Sequence, residues 1–207
     1  MIPAMQEQLE RELKWRLDAD GHQRLQALLT AAHGPRSERH QINRFYDTAK
    51  LTFLRHWMAI RLRREDERLL LTCKRKAAND GIAHQQQEWE CWLNAALWPQ
   101  RDLRPADWLP LPPVFRSLLA GAALVPLGGF ENHRREWHIR GEHIALDRTS
   151  YGDETDYELE VETSDASRTA VWVQQLADWQ VAAKPQSQGK YQRYLARRGL
   201  LTVAGRS

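Results

Sequence analysis

The sequence predicts an α+β domain built on one β-sheet closed into a barrel, with a charged interior and helices packed outside. Three observations predict it. Several stretches alternate apolar and ionic residues at period two, the period at which strand side chains change face. Their ionic faces are segregated by sign, some carrying acids and others bases, where an ordinary wet face would mix in Ser, Thr and Gln. Two amphipathic stretches, 21–33 and 166–179, offer apolar stripes that can cover the other face of such a sheet. About eight strands are needed for a lumen that holds side chains or one small ligand, and the candidate strands come close to that number.

The first strand organises the rest. Leu9, Leu13 and Leu17 share a face with Arg11 and Trp15, while Glu10, Glu12, Lys14 and Arg16 share the other. Asp18 or Asp20 then caps a helix carrying Leu25, Leu28 and Leu29, closed by Gly34-Pro35. Gln41 to Asp47 reads as a strand, and Thr48 to His56 as a connection that packs Leu51, Phe53 and Leu54 on the surface. Ala59 to Arg64 and Arg68 to Lys76 form a hairpin. Its inward set is Arg61 and Arg63 on one arm, and Thr72, Lys74 and Lys76 on the other. Ala77 to Ala83, with Asn79-Asp80-Gly81, reads as a turn-rich loop before a strand from Gln87 to Leu93 that carries Glu88 and Glu90.

Residues 95–129 break the rhythm with six prolines and read as a helical insertion between barrel strands, with short helices at Pro105 to Trp108 and Pro113 to Ala120. Its tryptophans are expected to pack rather than to stack on bases. Strands resume at Phe130 to Arg140, where Arg134 rather than Arg135 faces inward, and at Glu142 to Arg148 with Asp147. The last runs from Asp156 to Thr163, with Glu158, Glu160 and Glu162 on its ionic face. Ser164 caps a helix to about Trp179 whose apolar side is Ala170, Val171, Val173, Leu176 and Trp179. A last helix from Lys190 stops at Gly199.

The 207 residues suit a single domain, 1–207, and 42% apolar with 28% charged residues is the composition of a globular protein. A formal charge of only +3, without a dense basic stripe, argues against a nucleic-acid partner. No stretch is apolar enough for a bilayer and no leader is evident, so the chain is expected in the cytoplasm, without membrane contact. Cys73 and Cys91 fall on apolar faces and read as buried free thiols, and the eight histidines as surface or structural groups. A barrel interior with carboxylates opposite bases suits a divalent cation and a highly charged anion together.

Glu10-x-Glu12-x-Lys14 resembles the signature of the CYTH superfamily, the triphosphate tunnel metalloenzymes. The resemblance continues in order through Phe45-Tyr46-Asp47-Thr48, Arg61-Leu62-Arg63, Leu71-Thr72-Cys73-Lys74, Glu88-Trp89-Glu90, Arg134, Leu146-Asp147, Tyr151-Gly152, Asp156 to Glu162 and Lys190-Tyr191. It implies a closed eight-stranded antiparallel β-barrel forming a tunnel. It also implies an enzyme: a triphosphatase of the bacterial type that depends on Mg²⁺ or Mn²⁺. Inorganic triphosphate is the first substrate to expect, followed by thiamine triphosphate, a nucleoside triphosphate, or the adenylate cyclase reaction of some members.

Within that reading Glu10, Glu12 and Lys14 are catalytic. Arg61, Arg63, Lys74, Lys76, Arg134 and Lys190 bind phosphate, because guanidinium forks and ammonium groups match phosphate oxygens. Glu10, Glu12, Glu158 and Glu160 hold the metal, whose hard character favours carboxylate oxygen. Glu88, Glu90, Asp147 and Glu162 support the bases. The partner is a small-molecule triphosphate, and the protein a monomer or homodimer. A non-catalytic polyphosphate or nucleotide binder is the alternative from another class, disfavoured because carboxylates near a polyanion would only repel it. An RNA-binding barrel is disfavoured because the inward phase lacks stacking aromatics.

Overall fold

The computed structural model describes residues 4–34, 37–80, 83–98, 110–163, 165 and 167–203. Eight strands close into an antiparallel barrel: β1 (Gln6–Leu17), β2 (Ser37–Thr48), β3 (Met58–Glu65), β4 (Arg68–Asp80), β5 (Ala83–Asn94), β6 (Leu124–Ile139), β7 (Glu142–Ser150) and β8 (Thr155–Glu162). Their spatial order is β5-β4-β3-β2-β6-β7-β8-β1, and the first half of β1 returns to pair with β5, Gln6 opposite Glu90 through Leu13 opposite Ala83. Beyond Ala83, the first residue of β5, the short β9 (Ala183–Pro185) pairs with the end of β1, Trp15 to Leu17.

Among the described residues five α-helices lie outside: α1 (Ala19–His33), α2 (Thr52–Arg55), α3 (Pro113–Leu119), α4 (Arg168–Asp178) and α5 (Lys190–Arg197). Because the lumen is ionic, the hydrophobic core sits between the outer strand faces and these helices. On one side Ile60, Leu62, Leu69, Leu71 and Cys73 pack beneath Phe53, Phe115 and Leu119 of α2 and α3. On the other, Leu13, Trp15, Trp137, Ile144, Leu146, Leu159 and Val161 pack beneath Leu25 and Leu29 of α1 and Trp172 and Leu176 of α4. Each fully buried Leu or Ile contributes roughly 1.5–3 kcal/mol, so this outer layer holds the barrel closed. Both cysteines are buried. None of the described helices is long and apolar enough to cross a membrane.

Four local expectations are corrected. The ladder between β4 and β5 runs on to Asp80 opposite Ala83 through an irregularity between Lys76 and Ala78, so Ala77–Asp80 is strand rather than loop. Strand β6 begins at Leu124, six residues before the alternation becomes visible. Gly128-Gly129 hid it, and Gly129 is there because a Cβ would stand 1.8 Å from the Asn43 carbonyl oxygen. Helix α4 starts at Arg168 and buries Trp172 and Leu176, while Val171 and Val173 face outward. The i, i+4, i+7 row of Trp172, Leu176 and Trp179 wins over the smaller valines. Leu9 is exposed because β8 pairs with β1 only from Glu12 onward, beyond the helical cover. Ser164 and the helix expected at Pro105 to Trp108 lie outside the described residues.

Candidate active site

A cavity of about 360 Å³ runs through the barrel. Its wall contains Glu10, Glu12, Lys14, Arg61, Arg63, Lys74, Lys76, Glu88, Glu90, Arg134, Glu160, Glu162 and Lys190. Thus all but two of the residues singled out from the sequence share one space. The exceptions are Asp147 and Glu158, which are fully buried directly behind it.

Strand register explains the grouping. Lys14 lies opposite Glu160 across β1–β8, Glu158 opposite Asp147 across β8–β7, and Asp147 opposite Arg134 across β7–β6. The Lys14 ammonium lies 2.8 Å from Glu12 and 2.8 Å from Glu160. Arg134 donates both Nε and Nη2 to Asp147, at 2.9 and 2.7 Å, and Nη2 also donates to Glu160. From α5, Lys190 reaches in to Glu160 at 2.6 Å, Asp147 at 2.8 Å and Glu158 at 3.0 Å. Glu158 has its second oxygen taken by Arg193 at 2.5 Å. It thereby fastens α5 to the barrel.

On the opposite wall Lys74 donates to Glu10 at 3.1 Å and pairs with Glu88. Arg61 donates to Thr72 at 2.9 Å, which donates in turn to Glu90 at 3.0 Å. Arg63 is held by Asn43 Oδ1 at 3.0 Å and lies 3.5 Å from Glu65. The Arg61 Nε is buried and has no hydrogen-bond partner. Glu162 pairs with His143 at the mouth, and Lys76 lies over the Trp57 ring at the other end.

The electrostatics of the two walls differ. Burial alone would raise the Glu10 carboxyl, but Lys74 and Lys14 hold it down at about 2. Glu12, two residues on, is pushed up to about 8 by burial and by the Glu10 charge, against the pull of Lys14. Despite burial, Glu160 is held well below the carboxylate range by Lys14, Lys190 and Arg134, and Asp147 by Arg134 and Lys190. Across the lumen, burial together with Arg61 and Arg134 lowers the Arg63 guanidinium to about 10.

Charge scanning missed the amides and several charged partners of this lumen. Gln86 donates to both Glu10 and Glu12, at 2.6 and 3.1 Å. Asn132 links Gln41 with Asp147, and Arg39 and Glu65 pair near one mouth. His84, His143 and Glu136 line it too, although the histidines were read as surface or structural groups, and Arg193 stands behind it on Asp156 and Glu158. Part of the signal was available: Asn132 and Glu136 share strand phase with Arg134, and Gln86 with Glu88 and Glu90, whereas β2 held no chosen residue to set the phase of Gln41 and Asn43.

The donor set around Lys14 consists of carboxylate oxygens alone. Among the described residues no three His, Cys, Asp or Glu groups converge tightly enough to hold an ion as they stand, since lysines and Gln86 lie between them. The residues nevertheless fit a hard divalent cation in kind. Glu10 and Glu12 repel each other in a buried space, and all-oxygen ligands are what such a cation takes.

The CYTH domain family matches residues 8–195. The chain belongs to that family. Among solved structures, this CYTH chain resembles HpAC1 of Hippeastrum, a putative adenylyl cyclase with a dominant triphosphatase activity. The TM-score is 0.78 at 24% identity, over 92% of this chain and 96% of that one. A putative adenylate cyclase of Bacillus halodurans follows at TM-score 0.70 and 22% identity, over 90% and 97%. At these identities the likeness establishes the fold. No curated protein matches the chain.

Proposed function

We propose that this CYTH chain hydrolyses a triphosphate in its tunnel with the help of Mg²⁺ or Mn²⁺, inorganic triphosphate being the minimal substrate. The observation that carries the reading is the gathering of Arg61, Arg63, Lys74, Arg134 and Lys190 around one cavity inside the barrel. Family membership and the triphosphatase activity of HpAC1 support it. Cations pressed together this way are relieved by a polyanion, and Arg61 Nε has an unused donor to offer it.

In this reading Arg61, Arg63, Lys74, Arg134 and Lys190 grip the phosphate chain, with Lys76 at the end of the row. Glu10, Glu12 and Glu160 hold the metal, with Glu158 behind them anchoring α5. A cation held there would supply charge neutralisation on phosphate oxygens and polarise a water. Lys14 keeps Glu12 and Glu160 in register and offsets charge beside the scissile bond. Glu88, Glu90 and Asp147 hold the bases in place, as Glu162 does His143. Water attacks the terminal phosphorus, the P–O bond to the leaving diphosphate breaks, and positioning with neutralisation provides most of the acceleration. No nucleophilic side chain is required.

A binder without catalysis has no use for the Glu10, Glu12 and Glu160 wall. A phosphate-release screen over inorganic, thiamine and nucleoside triphosphates, with Mg²⁺ and Mn²⁺ in parallel, tests the proposal. Metal-dependent release from at least one triphosphate is expected, and none from any of them overturns it.

A further inference from the structure

Between two of its arginines the tunnel wall turns neutral. Glu65, Gln41, Asn132 and Thr149 stand directly opposite one another across β3, β2, β6 and β7, in a single inward row. Two residues along the strands to one side lies Arg63, opposite Asn43, and to the other Arg134, opposite Asp147. Gln41 and Asn132 line the cavity yet are only 1% and 2% exposed. Burying an amide costs free energy unless its hydrogen bonds are replaced. A wall that needed only filling would carry aliphatic side chains here.

Every link in the row is made. Thr149 Oγ1 donates to Asn132 Oδ1 at 2.9 Å, Asn132 Nδ2 donates to Gln41 Oε1 at 3.1 Å, and Gln41 Nε2 donates to Glu65 Oε1 at 2.7 Å. Asn132 Nδ2 also donates to Asp147 Oδ1 at 2.8 Å. The amides therefore bridge two carboxylates, and each carboxylate faces an arginine. Glu65 Oε1 lies 3.5 Å from Arg63 Nη1. Asp147 accepts both arms of the Arg134 fork, Nε on Oδ1 and Nη2 on Oδ2, with Lys190 also on Oδ2. A planar guanidinium follows the plane of the carboxylate that it grips. Arg134 and Lys190 hold Asp147 with long side chains that a polyanion can draw away. Asn132 holds it with a short one, itself tied to Thr149 and Gln41.

We infer that Asn132 is a positioning residue: by pinning Asp147 it aims the Arg134 fork, and through Gln41 and Glu65 it ties that fork to Arg63, so that both arginines meet one phosphate chain. The inference rests on the triphosphate reading of the tunnel. Direct contact of Asn132 with phosphate is not its role, because its amide nitrogen already serves two acceptors and its oxygen a donor. A buried network with all its members satisfied is stiff and admits one arrangement. Stiffness is what a grip on a flexible chain requires, since guanidiniums aimed beforehand lose less freedom on binding.

The test is a double-mutant cycle in the full chain: Asn132→Ala, Arg134→Gln and the two together. Steady-state kinetics are measured on inorganic triphosphate with Mg²⁺, and binding of inorganic triphosphate without metal by calorimetry. Asn132→Ala should lower kcat/KM and affinity about five-fold or more, chiefly through KM, the scale of coupling between residues in one network. In the Arg134→Gln background the further loss should stay below about two-fold, because an absent fork cannot be misaimed. Thr149→Val, which unties Asn132 without emptying its place, should shift KM in the same direction by less, and it replaces Asn132→Ala in the cycle if that variant does not fold. Losses that multiply in the double variant overturn the inference, as does a kcat/KM unmoved by Asn132→Ala while only the melting temperature falls. Coupled losses in binding without any hydrolysis keep the positioning role and discard the triphosphatase reading. A wild type that neither binds nor hydrolyses inorganic triphosphate overturns both.

Discussion

Ile60 and Leu62 point outward from β3 into a packed apolar layer, while Arg61 and Arg63 between them point inward to a cavity. The same contrast runs around the barrel: Leu159 and Val161 outside, Glu158 and Glu160 inside. Outside, close packing makes each residue matter for stability. Inside, paired charges have been taken out of water at considerable cost and repaid only in part by mutual attraction. A fold that needed only stability would fill such a lumen with apolar side chains. If the inner face is the functional one, as proposed, the two faces should respond oppositely to substitution.

The largest effect should come from the carboxylates. Glu10→Gln with Glu12→Gln keeps shape but removes the charges proposed to hold the cation. Activity at limiting Mg²⁺ should fall at least about 100-fold while the melting temperature holds or rises, since a repelling pair is gone. Undiminished activity at every metal concentration would end that assignment. Next comes the basic wall: Arg61→Ala or Arg63→Ala should lower kcat/KM by roughly 10- to 150-fold, the equivalent of about 1.5–3 kcal/mol of charge-assisted contact.

The outer face supplies the reverse. Leu159→Ala, at a site with no exposed surface, should cost about 2–5 kcal/mol in chemical denaturation. Activity per folded molecule should stay near wild type. A loss of turnover without a loss of stability would mean that the two faces are not separable.

How much of this was legible in the sequence follows from the same contrast. Period-two alternation of leucine with glutamate or arginine survives any tertiary context, so the barrel and most of the charged lining could be read directly, with Arg39, Glu65 and Glu136 passed over. Strand ends could not. Gly128-Gly129 in β6 carry no side chain to alternate, and Asn79-Asp80-Gly81 look like loop although the ladder reaches Asp80. Gln86, Asn132 and His143 escaped because polar neutral residues in phase look like an ordinary wet face. The double commitment of Glu158 to Lys190 and Arg193 depends on where α5 docks, which strand periodicity does not encode.

The smallest effect concerns pH at the mouth opposite α5. Hydrogen bonds to Glu136 and then Glu162 raise His143 to about 9. Because the folded pKa lies above the unfolded value, this stabilisation is complete below about pH 6.5 and is lost as pH rises through 9. Allowing for solvent screening, the loss is on the order of 1 kcal/mol. Denaturation of wild type and His143→Gln across pH 6 to 10 should show that alkaline loss only in the wild type. Parallel curves would remove His143 from the account.

The most direct test of the central claim, that the basic wall reads a phosphate chain, is steady-state kinetics on inorganic triphosphate, pyrophosphate and p-nitrophenyl phosphate with saturating Mg²⁺ or Mn²⁺. A triphosphate reaches more of the Arg61, Arg63, Lys74 and Arg134 row than a diphosphate, and a monoester fewer still. The account predicts kcat/KM falling steeply in that order. Equal or faster turnover of the monoester would contradict it.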